Sequence, residues 1–139
     1  MTFAIDRIDH VVVNCADVDR SAAWYARVFQ ASVEPFGVGG KLLRFGQQKL
    51  NLRPTGEARW FTATADEPGS LDICFITMAT PDEVVEHLRT CEVAPEVGPV
   101  ATSGALGAMT SVYCRDPDGN LIEFASYDNA EAVADGETH

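Results

Sequence analysis

Short apolar runs alternate along the chain with segments of helical spacing. Ile8–Asn14, with Val11, Val12 and Val13 in a row, reads as a buried strand. Asp17 and Asp19 supply the acids of a helix start. Ala22, Tyr25, Val28 and Phe29 then recur at helical spacing through Ser21–Gln30. A further strand is expected at Ser32–Phe36, before Gly37, Gly39 and Gly40 break the pattern. Two more follow, near Lys41–Phe45 and Lys49–Arg53, joined by a turn at Gly46-Gln47-Gln48. Pro54–Pro68 has weak periodicity and reads as a connector with Trp60 and Phe61 packed down.

The order then restarts. Leu71–Thr77 is apolar enough for a strand, and Thr80-Pro81-Asp82-Glu83 has capping-box spacing with proline at the first helical position. The helix that follows carries Val84, Val85, Leu88 and Cys91 on one side. A short extended piece at Pro95–Val100 and a glycine-punctuated loop at Ser103–Gly107 lead to a strand at Met109–Cys114. The turn Arg115–Asn120 hands over to a last strand, Leu121–Tyr127. The chain therefore predicts strand, helix and three strands, twice over. The fold class this implies is α+β: two βαβββ modules with curved mixed sheets enclosing a cleft. Module 1 is placed at about 5–53, the connector at 54–68, module 2 at about 69–127 and a frayed acidic tail at 128–139.

Composition narrows the partners. The 139 residues are 46% hydrophobic and 22% charged, the balance of a globular domain, with a net charge of -11. Such a charge repels nucleic acid and anionic membrane surfaces. No apolar run is long enough to span a bilayer, and the first residues do not read as a signal peptide. Cys15, Cys74, Cys91 and Cys114 form no C-x-x-C pair, which fits reduced thiols in the cytoplasm.

Overlaying the two halves puts His10 on Asp72, an offset of 62 residues, and Asn51 on Glu123, an offset of 72. Strand alternation sets Lys49, Asn51 and Arg53 on the face opposite Leu50 and Leu52, and Glu123 opposite Ile122 and Phe124. A carboxylate inside an apolar strand is costly without a charge partner or a metal. One imidazole nitrogen with three oxygens suits a divalent ion of octahedral preference better than a tetrahedral structural zinc.

These paired modules resemble the vicinal oxygen chelate superfamily. His10 on the first strand and the run Arg115-Asp116-Pro117-Asp118-Gly119-Asn120-Leu121-Ile122-Glu123 carry the likeness, over roughly residues 5 to 127. That group holds glyoxalase I, extradiol dioxygenases, fosfomycin-resistance proteins and bleomycin-binding proteins. The runs Phe45–Leu52 and Pro68–Phe75 look most like its glyoxalase-like virulence-protein branch. The resemblance implies metal ligation by His10, Glu123, Asp72 and Asn51, the last through a neutral amide oxygen. Asp72 stands where the third ligand is usually His or Glu. Arg53 stands where close relatives often carry His, and a guanidinium cannot bind a metal.

The resulting expectation is a metal-dependent, glyoxalase-like enzyme of lyase or isomerase type, acting as a homodimer. Its small oxygen-rich substrate would chelate manganese, iron, nickel, zinc or magnesium, with Glu123 also available as the catalytic base. Arg53, Ser111 and Tyr113 are the candidate substrate-binding residues, and Arg44 is a second candidate anion grip. The alternatives are a metal-free, bleomycin-type drug-binding protein, an extradiol dioxygenase or an antibiotic thiol transferase. Plainer readings also stand: His10 held by Asp9, Glu123 paired to an arginine, Asp72 merely solvated, and Asn51 in a cross-strand hydrogen bond.

Overall fold

A computed structural model describes residues 2–129; most of the expected tail, with His139, lies outside the described residues. The chain separates between Ser70 and Leu71 into two compact units. The first unit runs β1 (His10–Cys15), α1 (Val18–Phe29), β2 (Val33–Phe36), β3 (Gly40–Phe45) and β4 (Gln48–Pro54). Its sheet has the order β1-β4-β3-β2, with β1 parallel to β4 and the other pairs antiparallel.

Local chemistry explains the helix. The Asp17 side chain caps α1 by accepting from the Arg20 amide at 3.1 Å, and Gln30 ends it in the left-handed conformation at φ 52°. Ala22, Tyr25 and Val28 form its buried stripe, and the opposed sheet residues Val13, Leu43, Leu50 and Leu52 are almost fully buried. Each such aliphatic side chain contributes about 1.5–3 kcal/mol on burial. The other face of the same sheet carries Asn51 and Arg53, with Val12 and Leu42 beside Asn51.

In the second unit the order is β5 (Asp72–Ile76), α2 (Pro81–Thr90), β6 (Val97–Gly104), β7 (Gly107–Arg115) and β8 (Leu121–Tyr127). The sheet order β5-β8-β7-β6 repeats the first topology, again with one parallel pair, β5 with β8. A full capping box starts α2: Glu83 N donates to Thr80 Oγ1 at 3.2 Å, and Thr80 N donates to Glu83 Oε1 at 3.0 Å. Val84 and Leu88 are buried, as are Val112, Cys114 and Ile122. The expected α+β class with two βαβββ modules is the observed one, as two four-stranded mixed sheets with two helices.

Two local expectations are corrected. The extended piece at 95–100 and the loop at 103–107 are one edge strand, β6, that runs on to Gly104 and turns through Ala105 and Leu106 into β7. Its exposed small residues hide it from a hydrophobicity reading, and Pro99 is tolerated because an edge strand has one unpaired side. Within the connector, Trp60 is half-buried but Phe61 is fully exposed. No helix among the described residues is long and apolar enough to cross a membrane.

Candidate functional site

Ladder register decides which side chains share a face. In the first unit His10 pairs with Lys49, Val12 with Asn51, and Asn14 with Arg53. His10, Asn14, Lys49, Asn51 and Arg53 therefore lie on one face, away from the helix-packed Leu50 and Leu52. His10 is exposed, and its Nδ1 bonds Asp9 Oδ2 at 2.9 Å, which leaves Nε2 uncommitted. Lys49 holds its ammonium 4.0 Å from the centre of the Phe36 ring.

Asn51 and Arg53 are both 3% exposed, and each carries an unpaired polar atom. The Asn51 Oδ1 has no donor, because its ladder neighbours on that face are Val12 and Leu42. The cross-strand hydrogen bond expected of a merely structural asparagine is not made at that oxygen. Arg53 donates to Asp66 Oδ2 at 2.8 Å, to Asn14 Oδ1 at 2.9 Å and to the Glu57 carbonyl at 3.0 Å. Its Nε–H remains without an acceptor. The Arg53 guanidinium holds Asp66 below the usual carboxylate range. Arg44 is exposed and paired with Glu34 at 3.2 Å.

The second unit repeats the arrangement. Asp72 pairs with Leu121 and Cys74 with Glu123, so Asp72 lies opposite the residue two before Glu123, as His10 lies opposite the residue two before Asn51. Position for position, His10 matches Asp72 and Asn51 matches Glu123. Tyr113 is the other ladder neighbour of Glu123, and Ser111 lies two residues away on the same face. A cavity of about 330 Å³ opens there, its lining including Cys74, Thr102, Met109, Tyr113, Glu123 and Tyr127.

Glu123 is half-buried and collects donors rather than an arginine. Ser111 Oγ donates to Glu123 Oε2 at 2.5 Å, and Thr102 Oγ1 lies 2.6 Å from the same Ser111 oxygen. Partial desolvation first, and then the charge of Glu123, push the exposed Cys74 thiol up to about 11 and the Tyr113 phenol above its ordinary value. Both keep their protons at neutral pH and stand beside the carboxylate as its ladder neighbours. Asp72 is exposed at the mouth of β5. The sequence alone gives Cys74 no role beyond that of a reduced thiol and does not single out Thr102. Alternation from Asp72 would have put Cys74 on the same face, whereas Thr102 becomes visible only from the β6–β7 register.

The Asp116–Asn120 turn holds these strands in place. Asp116 Oδ1 accepts from the amides of Asp118 and Asn120, both at 2.9 Å, and Oδ2 accepts from Asn120 Nδ2 at 2.7 Å. Asn120 Oδ1 in turn accepts from the Leu71 amide at 2.9 Å. The motif is thus a clasp between the β7–β8 turn and the residue before Asp72. Among the described residues, no three His, Cys, Asp or Glu side chains stand together closely enough to hold a metal ion.

Known proteins share this chain's sequence and fold. The virulence protein STM3117 of Salmonella typhimurium is 40% identical over 123 residues, covering 88% of this chain and 85% of that protein. Its crystal structure superposes with a TM-score of 0.84 at 39% identity, over 90% of this chain and 99% of the other. The glyoxalase domain-containing protein RDO1 of Mycosarcoma maydis is 38% identical over 128 residues, 92% of this chain and 72% of that protein. A more remote likeness joins it to a lactoylglutathione lyase from Agrobacterium tumefaciens, with a TM-score of 0.67 at 25% identity over 88% and 94% of the two chains. Residues 7–124 match the family model, and the chain belongs to the Glyoxalase/Bleomycin resistance protein/Dioxygenase superfamily.

Proposed function

We propose that this chain is a metal-dependent enzyme of glyoxalase type, a lyase or isomerase working as a homodimer on a small substrate held through two neighbouring oxygens. The observation that carries the reading is the buried, donorless Asn51 Oδ1 on the sheet face it shares with His10. Such an acceptor costs about 1–3 kcal/mol while unpaired, a cost that a bound cation offsets. Members of the superfamily typically bind a divalent metal. We assign its ligation to His10, Asn51, Asp72 and Glu123.

The remaining contacts fit those roles. Asp9 engages His10 Nδ1 and leaves Nε2 available, the carboxylate–histidine arrangement that orients metal-binding imidazoles. Ser111 engages Glu123 Oε2 and leaves Oε1 to bind or to carry a proton as the catalytic base. One nitrogen with three hard oxygens favours manganese, iron, nickel or magnesium, or zinc in an open catalytic site. A divalent ion there supplies Lewis acidity to the substrate oxygens. The free Nε–H of Arg53 is assigned to a substrate oxygen, and the Tyr113 hydroxyl to the substrate as a second donor. Ser111, fully buried, contributes to binding through Glu123.

A second reading, a metal-free protein that sequesters a cationic drug-like ligand, is favoured by the charge distribution. Residues 1–70 carry eight basic and eight acidic side chains, whereas residues 71–139 carry two and thirteen, so the whole -11 arises in the second unit. Elemental analysis of untagged protein purified without chelators, beside Glu123→Gln, separates the two. Near-stoichiometric manganese, iron, nickel or zinc that falls in the variant is the expected result. An empty wild type that stays empty after soaking would sink the metalloenzyme reading in favour of the binding protein.

A further inference from the structure

We infer that Thr102 and Ser111 form a directed hydroxyl relay that fixes the orientation of Glu123, and that both are positioning residues of the proposed site. The inference rests on the reading of Glu123 as a ligand or base, but its geometry stands independently. Ser111 Oγ lies 2.5 Å from Glu123 Oε2 and 2.6 Å from Thr102 Oγ1. A hydroxyl has one hydrogen, and an ionised carboxylate only accepts. The Ser111 hydrogen therefore goes to Glu123, and Ser111 can only accept from Thr102. Both bonds have one direction.

The relay crosses three strands on a single face. Thr102 of β6 pairs with Met109 of β7, two residues before Ser111; Ser111 pairs with Ala125 of β8, two residues after Glu123. Ser111 is 0% exposed, so no solvent competes for its hydroxyl. A short bond to a charged acceptor at that depth pins one carboxylate oxygen and aims the other. In the first unit, Asn51 has only Val12 and Leu42 as ladder neighbours and makes no such bond at Oδ1. The relay belongs to Glu123 rather than to the module in general.

Three variants test it in the full-length protein: Ser111→Ala, Thr102→Val, which keeps the branched shape without the donor, and Thr102→Ser, which keeps the hydroxyl. Free Mn²⁺ counted by electron paramagnetic resonance gives affinity, thermal unfolding gives stability, and crystals grown without metal give the Glu123 side-chain orientation. Ser111→Ala should weaken Mn²⁺ binding roughly 10–100-fold, the usual scale for an outer contact to a ligand. Thr102→Val should weaken it less, Thr102→Ser should match the wild type, and metal-free Ser111→Ala should show Glu123 in more than one orientation. Equal affinity in Thr102→Val and wild type, or a single unchanged Glu123 orientation in metal-free Ser111→Ala, overturns the relay. If the wild type binds no Mn²⁺, the proposed function fails and the metal-free crystals still decide the relay.

Discussion

Replacing Asn120 by alanine separates a structural reading of the Asp-Pro-Asp-Gly-Asn turn from a functional one. Asn120 is 1% exposed and its side chain makes two bonds: Nδ2 to Asp116 Oδ2 at 2.7 Å and Oδ1 from the Leu71 amide at 2.9 Å. A hydrogen bond to a charged partner contributes about 1.5–3 kcal/mol, and a neutral one about 0.5–1.5 kcal/mol. The substitution should therefore cost about 2–4 kcal/mol, or roughly 10 °C in Tm for a chain of this size. Asp116→Ala should cost a similar amount, since it strips the acceptor from two backbone amides and from Asn120. Because the two residues share a bond, the double variant should lose less than the sum.

Thermal unfolding followed by circular dichroism measures the loss. Amide hydrogen exchange locates it, because the Leu71 N–H should exchange faster while amides inside α1 should not. A Tm within about 2 °C of the wild type, which for this size is well under 1 kcal/mol, would refute the clasp. So would unchanged exchange at Leu71. In either case the turn would have to be explained by something other than the seating of β5.

Two further outcomes are expected. A Cβ at Gly40 would stand 2.5 Å from Trp60 Cζ2, 2.6 Å from the Phe36 carbonyl oxygen and 2.7 Å from that of Leu52. Two of these atoms are backbone and cannot yield, so Gly40→Ala should lose about 1–3 kcal/mol and red-shift the Trp60 emission, as urea unfolding and fluorescence would show. The Cys74 thiol, exposed but pushed up to about 11 by partial desolvation and by Glu123, is almost wholly protonated at pH 8. It should react with a disulfide reagent roughly ten- to a hundred-fold more slowly than an ordinary thiol, and faster as pH rises. Glu123→Gln removes the charge that disfavours the thiolate and should speed that reaction at pH 8; an unchanged rate would break the Cys74–Glu123 coupling.

What could be read from residues alone follows the strength of their local signals. The capping box at Thr80 and Glu83, the Asp17 cap and the valine run of β1 announce themselves, and the structure has all three. Strand β6 does not, because an exposed edge strand whose two valines stand among Gly, Pro, Ala, Thr and Ser shows no apolar alternation. The overlay of His10 on Asp72 and Asn51 on Glu123 was legible because strand period and duplication are both sequence properties, and the two ladders reproduce it. The environments of those positions were not legible, since they depend on what lies across the ladder. Asn51 faces Val12 and Leu42, whereas Glu123 faces Cys74 and Tyr113 with Ser111 beneath it. The same position in two copies of one module has thus diverged into an acceptor without a donor and an acceptor held by the Ser111 hydroxyl. Two such oxygens differ in what they can do. Glu123 accepts a short bond from Ser111 that fixes one of its oxygens, while the buried Asn51 Oδ1 stays open to any donor or cation that reaches it.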